Sequence, residues 1–534
     1  LPIDPGTSWA EAGPAMPTRA NPTPNVSSVI LIGSIWGACP DLAKRGPGGK
    51  ERMTLKSVGA RKRLSDILQQ AGHGESLTRV LGPVSIVFMG IGAIIGAGIF
   101  VLTGTAAALY AGPAVILSFV LAGIACAFVG LCYAELAAMM PVAGSTYTYT
   151  YTSLGQLAAW LVGWNLVLEY SIGAAAVAVG WSGYFSGTLA QLGITVSPRF
   201  ANSTGTIVTL ADGSSATAIA NLPAVAIVVL LTVLLVRGTR ESARINNLMV
   251  ALKLLVILAF IGFGIFHVST ANWQPFVPPN DGTFGIFGWS GVLHGASVVF
   301  FTYIGFDAVS NCAQEAKKPQ RDMPIGIIGA LSLSTILYIL VAAVLVGIVP
   351  YRELNVAAPV GLAAERMGIG WLALAIQLGA LIGITTAILV LLYGQCRIFA
   401  AMAHDGLMPP VFSRIHPKLH TPWMSQILIG IVVAAFAAAA PIETLSELVG
   451  VGTLFSFVMV CASVLRLRKL EPNAHRPFRV PGMPWVPILG ILSCLGLMVG
   501  LSPLTWARLI VWIALGLAIY FAYGRSRATD RLGA

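Results

Sequence analysis

Long apolar runs dominate the chain, separated by short connections rich in polar, basic or proline residues. Twelve of the runs are long enough to cross, or nearly cross, a hydrocarbon layer of about 30 Å. They lie near residues 84–108, 113–139, 159–187, 222–236, 244–266, 291–310, 324–349, 371–402, 423–440, 444–465, 487–501 and 506–523, the fourth and eleventh being short. The pattern predicts an all-α membrane protein of twelve transmembrane helices. Apart from a basic, amphipathic lead-in at 56–80 it leaves no soluble domain, and the longest connection, 188–221, reads as a flexible loop.

The first run is interrupted in composition. Residues 90–104 read GIGAIIGAGIFVLTG, with five glycines in fifteen residues and no charge. A glycine inside a helix costs about 1 kcal/mol relative to alanine, so five need a reason. A phosphate-binding loop is disfavoured, because it requires a preceding strand in a soluble βαβ unit. Two readings stay open: close helix packing through Gly92-xxx-Gly96, and a helix broken at membrane depth. A second break favours the latter. In the sixth run, SVVFFTYIGFDAVSNCAQE (297–315), Ile304, Gly305 and Phe306 separate an aromatic stretch from Asp307. The two broken runs stand five apart, an odd number, so runs one to five and six to ten would be related by inverted topology.

A backbone unwound in hydrocarbon must find polar partners, at several kcal/mol per unsatisfied group. The outer half of the first run begins near Ala97 and Gly98 and directs free N–H groups and a positive dipole end at the midplane. The outer half of the sixth ends near Phe301 and Thr302 and directs carbonyls there. Together the two ends complement an α-amino acid zwitterion, although the inner half-helices present ends of opposite sign.

Composition supports the membrane reading: 56% of the 534 residues are hydrophobic and 10% charged, with a mean hydropathy of +0.81. The net charge of +11 does not imply nucleic acid, because the basic residues are sorted by loop. From Met53 onward, the even-numbered connections and both tails carry 22 Lys and Arg and the opposite side four. This asymmetry puts both termini in the cytoplasm. The cysteines show no paired metal spacing. His404, Asp405, His416 and His420 sit in a basic cytoplasmic connection without a compact ligand pattern, so no metal or other cofactor is expected. Residues 1–52, Pro/Gly-rich and unlike the rest, read as a disordered leader or gene-model extension ahead of a start at Met53; their apolar run SSVILIGSIWGAC is too short to span and lacks the basic flank of a signal peptide.

The motifs GIGAIIGAGIFVLTG, YAELAAMMPVAGSTYTYTY, GWNLVLEYSIGAAAVA, SARINNLMVALK, FFTYIGFDAVSNCAQEAKKPQRDMPIGI, YGQCRIFAAMAHDGLMP and HRPFRVPGMPWVPILG, in that order over about 75–531, resemble the cationic amino acid transporter family, bacterial type, of the amino acid–polyamine–organocation superfamily. The resemblance implies the leucine-transporter fold with a 5+5 inverted repeat. The division would be a cytoplasmic segment at 53–83, repeats at 84–266 and 267–465, and two extra helices with a cytoplasmic tail at 466–534. It implies a plasma-membrane permease for L-amino acids, proton-coupled, working by alternating access. The substrate carboxylate would meet the backbone at Gly96, Ala97 and Gly98, and the amine the carbonyls of Ile94, Phe301, Thr302 and Ile304, with Phe301 closing the pocket from outside. Relatives often carry Thr or Ser at Ala97 and Ala at Thr302, which changes the side-chain fit and leaves the backbone contacts.

Four ionisable residues need separate weighing. Lys253 lies within the fifth run, and an intramembrane lysine is a functional hypothesis by default. In the resembling family a lysine here occupies the place of a sodium site, which makes it a proton carrier; the alternative is a structural ammonium on carbonyls of the first run and Thr385 or Thr386. Glu169, mid-run in WNLVLEYSIG, faces the pocket by resemblance or else is a protonated packing residue. Asp307 is equally a gate residue or a helix cap, and Glu135 is interfacial or structural. TYTYTYT (146–152) reads as an interfacial segment rather than a strand. Discrimination between substrates falls to Glu169, Phe301, Thr302 and side chains near Ile384, giving a broad or neutral preference, with cationic Arg/Lys transport as the alternative. A sensor that binds without sustained transport is a reading of another class. Without Walker, HExxH or GxSxG motifs, ATP drive and the commonest hydrolases are disfavoured. The sequence does not specify an oligomeric state.

The charge asymmetry makes a direct prediction. On a cysteine-free background, single cysteines in 188–221 and 267–290 should react with an impermeant thiol reagent added outside, and those in 237–243 or 313–323 should not; the reverse labelling pattern would refute the inverted arrangement.

Overall fold

A computed structural model describes residues 61–65, 67, 81–525 and 527, except 143, 211–212, 238–242, 281, 417–418 and 420. The leader at 1–52, the Met53 start, most of the lead-in and His420 therefore lie outside the described residues. Among these, eight helices are long and apolar enough to cross a membrane, and four shorter apolar helices accompany them. The helices fall on the twelve apolar segments to within a few residues: Val115–Met139 on the second, Pro319–Ile348 on the seventh, Gly370–His404 on the eighth and Ile442–Leu470 on the tenth.

Burial sorts the helices into an inner and an outer set. In the third and sixth segments (Gln156–Gln191 and Gly288–Ser310) 89% of the apolar window is buried, against 33% in the fifth (Asn247–His267) and 22% in the twelfth (Pro503–Gly524). The third and sixth therefore form the centre, and the fifth and twelfth present apolar surface outward, as a lipid solvent requires. The twelfth is fastened to the third by stacked indoles, Trp160 on Trp164 at 5.9 Å and Trp164 on Trp512 at 4.5 Å, with both third-segment indole N–H groups donating to carbonyls of Gly516 and Trp512.

Two connections differ from expectation. TYTYTYT is enclosed by protein: Ser145–Ser153 is a helix with all nine residues buried, entered through Gly144 at φ +108°. Most of its hydroxyls are absorbed by bonds within the helix or to distant segments, the exceptions being Tyr149 Oη and Thr150 Oγ1. Thr152 and Ser153 donate back to Thr148 and Tyr149 carbonyls, Ser153 also to Ser463 Oγ at 2.7 Å, Tyr147 to Asp405, and Thr146 pairs with Tyr133. The 188–221 loop, expected to be flexible, holds an antiparallel strand pair, Ile207–Thr209 with Ser215–Thr217. It is tied to the end of the ninth segment by Ser203 Oγ to Ala440 O and by Thr204 N and Asn221 N to Ala438 O.

At one end of the bundle Glu135 is a structural hub. Its buried carboxylate accepts from Arg468 Nε at 2.9 Å and Nη2 at 2.6 Å and from Val480 N at 2.7 Å, with Arg476 at 3.5 Å. It joins the second segment, the tenth and the connection that follows. Removing its charge strands the nearly enclosed Arg476. Glu135→Gln should cost about 3 kcal/mol of stability, read as a lower midpoint of thermal unfolding in detergent; an unchanged midpoint would mean that the hub carries no stability.

Candidate functional site

The first segment is broken where its glycines suggest. An inner helix, Pro83–Ile94, ends at Ile95 (ψ 95°), whose N–H makes the last helical bond, to Ile91 O at 2.9 Å. The chain resumes at Ala97 in a wide π turn, Gly98–Leu102. The first amides of that outer half have no partner within the helix. The sixth segment runs as a helix to Val299, tightens to a 3-10 turn over Phe300–Tyr303, breaks at Ile304–Phe306 and continues from Asp307.

The glycines serve both readings at different positions. A Cβ on Gly90 would lie 2.6 Å from Ala330 Cβ and one on Gly92 2.9 Å from Val250 Cγ2, so these two pack helices. At the breaks, Gly305 has φ +114° and a Cβ there would lie 2.7 Å from Ala93 O, while one on Gly98 would lie 2.6 Å from Thr302 Cγ2. The two broken helices thus touch through glycine, at positions where a larger residue would force them apart.

Between the breaks lies a small cavity of about 30 Å³, lined by Ile94, Gly96, Ala97, Gly98, Phe301, Thr302 and Ile304 and completed by Ala93, Gly173, Val177, Ala387 and Leu391. Its lining carries no charged side chain. A cavity of this size has room for roughly two waters, so admitting a larger solute requires the lining to part. Thr302 Oγ1 is turned away to its own helix, bonding Val299 O at 2.7 Å. Two sequence-predicted residues are not on the lining. Ile384 is buried elsewhere in the eighth segment, and Glu169 is buried about one helical turn from Gly173.

Two side chains hold the breaks. Lys253, 1% exposed, donates to Gly92 O at 2.7 Å and Ile95 O at 2.9 Å, capping the inner half-helix of the first segment. Thr385 and Thr386 bond carbonyls of their own helix, Leu381 and Gly383; the eighth segment meets the lysine instead through Gly383, where a Cβ would lie 3.4 Å from Lys253 Cβ and Cδ. The other is Tyr338, which sequence reasoning missed. Its hydroxyl lies 3.0 Å from Ile94 O and 2.8 Å from Thr302 O, bridging the two breaks. A carbonyl has two acceptor positions, so both oxygens keep one for another donor.

Asp307 opens the inner half of the sixth segment. Tyr170 donates to its Oδ2 at 3.1 Å and Ser310 to its backbone carbonyl at 2.5 Å. Asp405 accepts from Lys62 and Tyr147 at 2.7–2.8 Å.

The chain matches the family described as Amino acid permease over residues 81–519. It is 45% identical over 468 residues to the methylthioribose transporter of Bacillus subtilis (strain 168), covering 88% of this chain and 98% of that protein. It is 44% identical over 473 residues to the branched-chain amino acid permease BcaP of the same organism, with the same coverage. Identity to the vacuolar cationic amino acid transporter 4 of Arabidopsis thaliana is 38% over 423 residues, 78% of this chain and 68% of that one.

The Gly98–Thr302 contact can be tested without a ligand. Gly98→Ala should lower stability by about 1–3 kcal/mol through overpacking, whereas Gly82→Ala, with nothing within 4 Å, should stay within about 0.5 kcal/mol. Denaturant midpoints compare them; equal midpoints would mean that the contact is loose.

Proposed function

Because the chain belongs to the amino acid permease family of the amino acid–polyamine–organocation superfamily, we propose that it is a secondary transporter that carries L-amino acids, neutral ones by preference, across the plasma membrane by alternating access. In this reading the twelve apolar segments all span, the first five and the next five form an inverted pair, and both termini face the cytoplasm.

The observation that carries the substrate reading is the cavity between the two breaks. Backbone N–H groups at Gly96, Ala97 and Gly98 suit a carboxylate, and the carbonyls of Ile94, Phe301, Thr302 and Ile304 suit an ammonium. The rest of the lining is small or apolar. A cationic side chain would find no anion on it, since Glu169 lies off the lining. A relative named for branched-chain amino acids agrees with this preference. Relatives named as cationic amino acid transporters keep the alternative in play, and the one named for methylthioribose makes a neutral solute without an ammonium the third substrate to test.

Coupling is assigned to Lys253. As an ammonium it makes charge-assisted bonds to two carbonyls at the break; as an amine it would hold them more weakly and free the inner half-helix to move. Loss of the proton to the cytoplasm would thus favour the inward-opening rearrangement.

Proteoliposome uptake of labelled alanine tests both assignments. Leucine and serine should compete better than arginine, lysine or methylthioribose. Best competition by arginine and lysine, lost in Glu169→Gln, would replace the neutral preference with a cationic one; competition by methylthioribose alone would remove the amino acid reading. Binding without accumulation would indicate a sensor. Lys253→Ala should retain exchange and lose its response to an imposed proton gradient, and normal acid-stimulated accumulation by that variant would falsify the carrier role.

A further inference from the structure

Glu169 and Asp307 were separate residues in the sequence, but the fold sets them side by side. Each is 1% exposed, and they interact electrostatically. Glu169 Oε1 and Oε2 and Asp307 Oδ1 have no hydrogen-bond partner. Tyr170 donates to Asp307 Oδ2, and backbone N–H groups of Gly305, Asp307 and Ala308 lie close to the same carboxyl group. Buried and half-buried cations of the bundle are committed elsewhere: Lys253 to carbonyls of the first segment, Lys62 to Asp405, Arg468 and Arg476 to Glu135. Among the described residues, neither carboxyl group has an ion-pair partner.

Two ionised carboxylates held together away from water, with no cation paired to either among the described residues, would be costly. Carboxylates sharing a site settle this by holding a proton. The surroundings are asymmetric in a way that locates it. Tyr170 donates to Asp307, which suits the anion. Beside Glu169 lies Thr453, fully buried, whose hydroxyl can donate to the carboxylate or accept from the protonated carboxyl group, so Glu169 has fewer donors committed to its anion than Asp307 has. Facing the pair are Tyr133 from the second segment and Tyr170 from the third. Tyr133, Phe306 and Phe457 close over it, with ring centroids 5.0–5.7 Å apart.

We propose that the Glu169–Asp307 pair is a proton-binding site, distinct from Lys253, one turn from the central cavity. The proton rides on Glu169 while Tyr170 keeps Asp307 anionic. It leaves to water, as hydronium and a second carboxylate, when the third, sixth and tenth segments part, and is regained from the opposite side. Its role in transport rests on the function proposed above; its existence does not.

Infrared difference spectra of the purified full chain at neutral pH, in H₂O and D₂O, test the site without any flux. Wild type should show a protonated-carboxyl carbonyl band that shifts in D₂O. The band should vanish in Glu169→Gln, where Asp307 is left as a lone anion, and persist in Asp307→Asn. A wild-type spectrum without the band, a band indifferent to Glu169→Gln, or a band that sodium removes would overturn the site. Should Glu169→Gln not fold, Tyr170→Phe substitutes for it: its band must change frequency, and an unchanged band counts against the proposal. In proteoliposomes the proton-to-substrate ratio, read from flux reversal in set pH gradients, should be lower by one in Glu169→Gln. A lost band with an unchanged ratio would make the proton structural and overturn its transport. Wild-type liposomes that move no substrate would instead fail the transport reading and leave the spectra to decide the site.

Discussion

Every backbone polar group placed at membrane depth must be bonded, and the arrangement of this protein follows from the two places where helices cannot do it themselves. The breaks at Ile95–Ala97 and Ile304–Phe306 release carbonyls that would each cost several kcal/mol in hydrocarbon. Lys253 takes Gly92 and Ile95, and the Tyr338 hydroxyl, with its single proton, lies between the Ile94 and Thr302 carbonyls and donates to one of them at a time. The partners come from the fifth and seventh segments, so the breaks are stable only while four segments stay in register. That dependence links local unwinding to the placement of whole helices.

Charge is distributed on the same principle. Glu135 and Asp405 are matched by arginine or lysine and by further donors, and they fasten connections to the bundle at positions bordering its basic loops. Glu169 and Asp307 are not matched. A buried acid that lacks a partner is expensive and therefore uncommon, and here two occur together with one phenol between them. The contrast within a single chain separates anions used as fasteners from a pair whose neutrality has to come from a proton.

Most of the architecture was legible because hydrocarbon imposes long, contiguous signals: apolar length places the helices, clustered glycine the first break, and Gly305 between an aromatic stretch and Asp307 the second. What stayed hidden depended on contacts distant in sequence. Tyr338 sits in an otherwise ordinary apolar run, and nothing local marks its hydroxyl as the bridge between residues 36 and 244 positions away. TYTYTYT has the composition of an interface, and its burial became understandable only through bonds to Ser463 and Asp405 far along the chain. Glu169 was placed on the pocket by resemblance. The π turn at Leu168–Ile172 belongs to the local geometry that sets where this side chain points, and periodicity at 3.6 residues does not reveal such a turn.

The separation between lining and carboxylates bears on how one scaffold serves chemically different cargo. Recognition through backbone ends addresses only the carboxylate and ammonium, which every α-amino acid shares, so it cannot by itself discriminate. Under the proposed function, discrimination would rest on the side chains that line the rest of the cavity, Val177, Phe301, Ala387 and Leu391. A charge brought onto that surface would need compensation in hydrocarbon. Keeping Glu169 one turn away removes that demand from the cavity while leaving the acid close enough to sense the parting of the same helices. Substrate choice and proton binding can accordingly vary by different residues, although the motion that serves both is common to them.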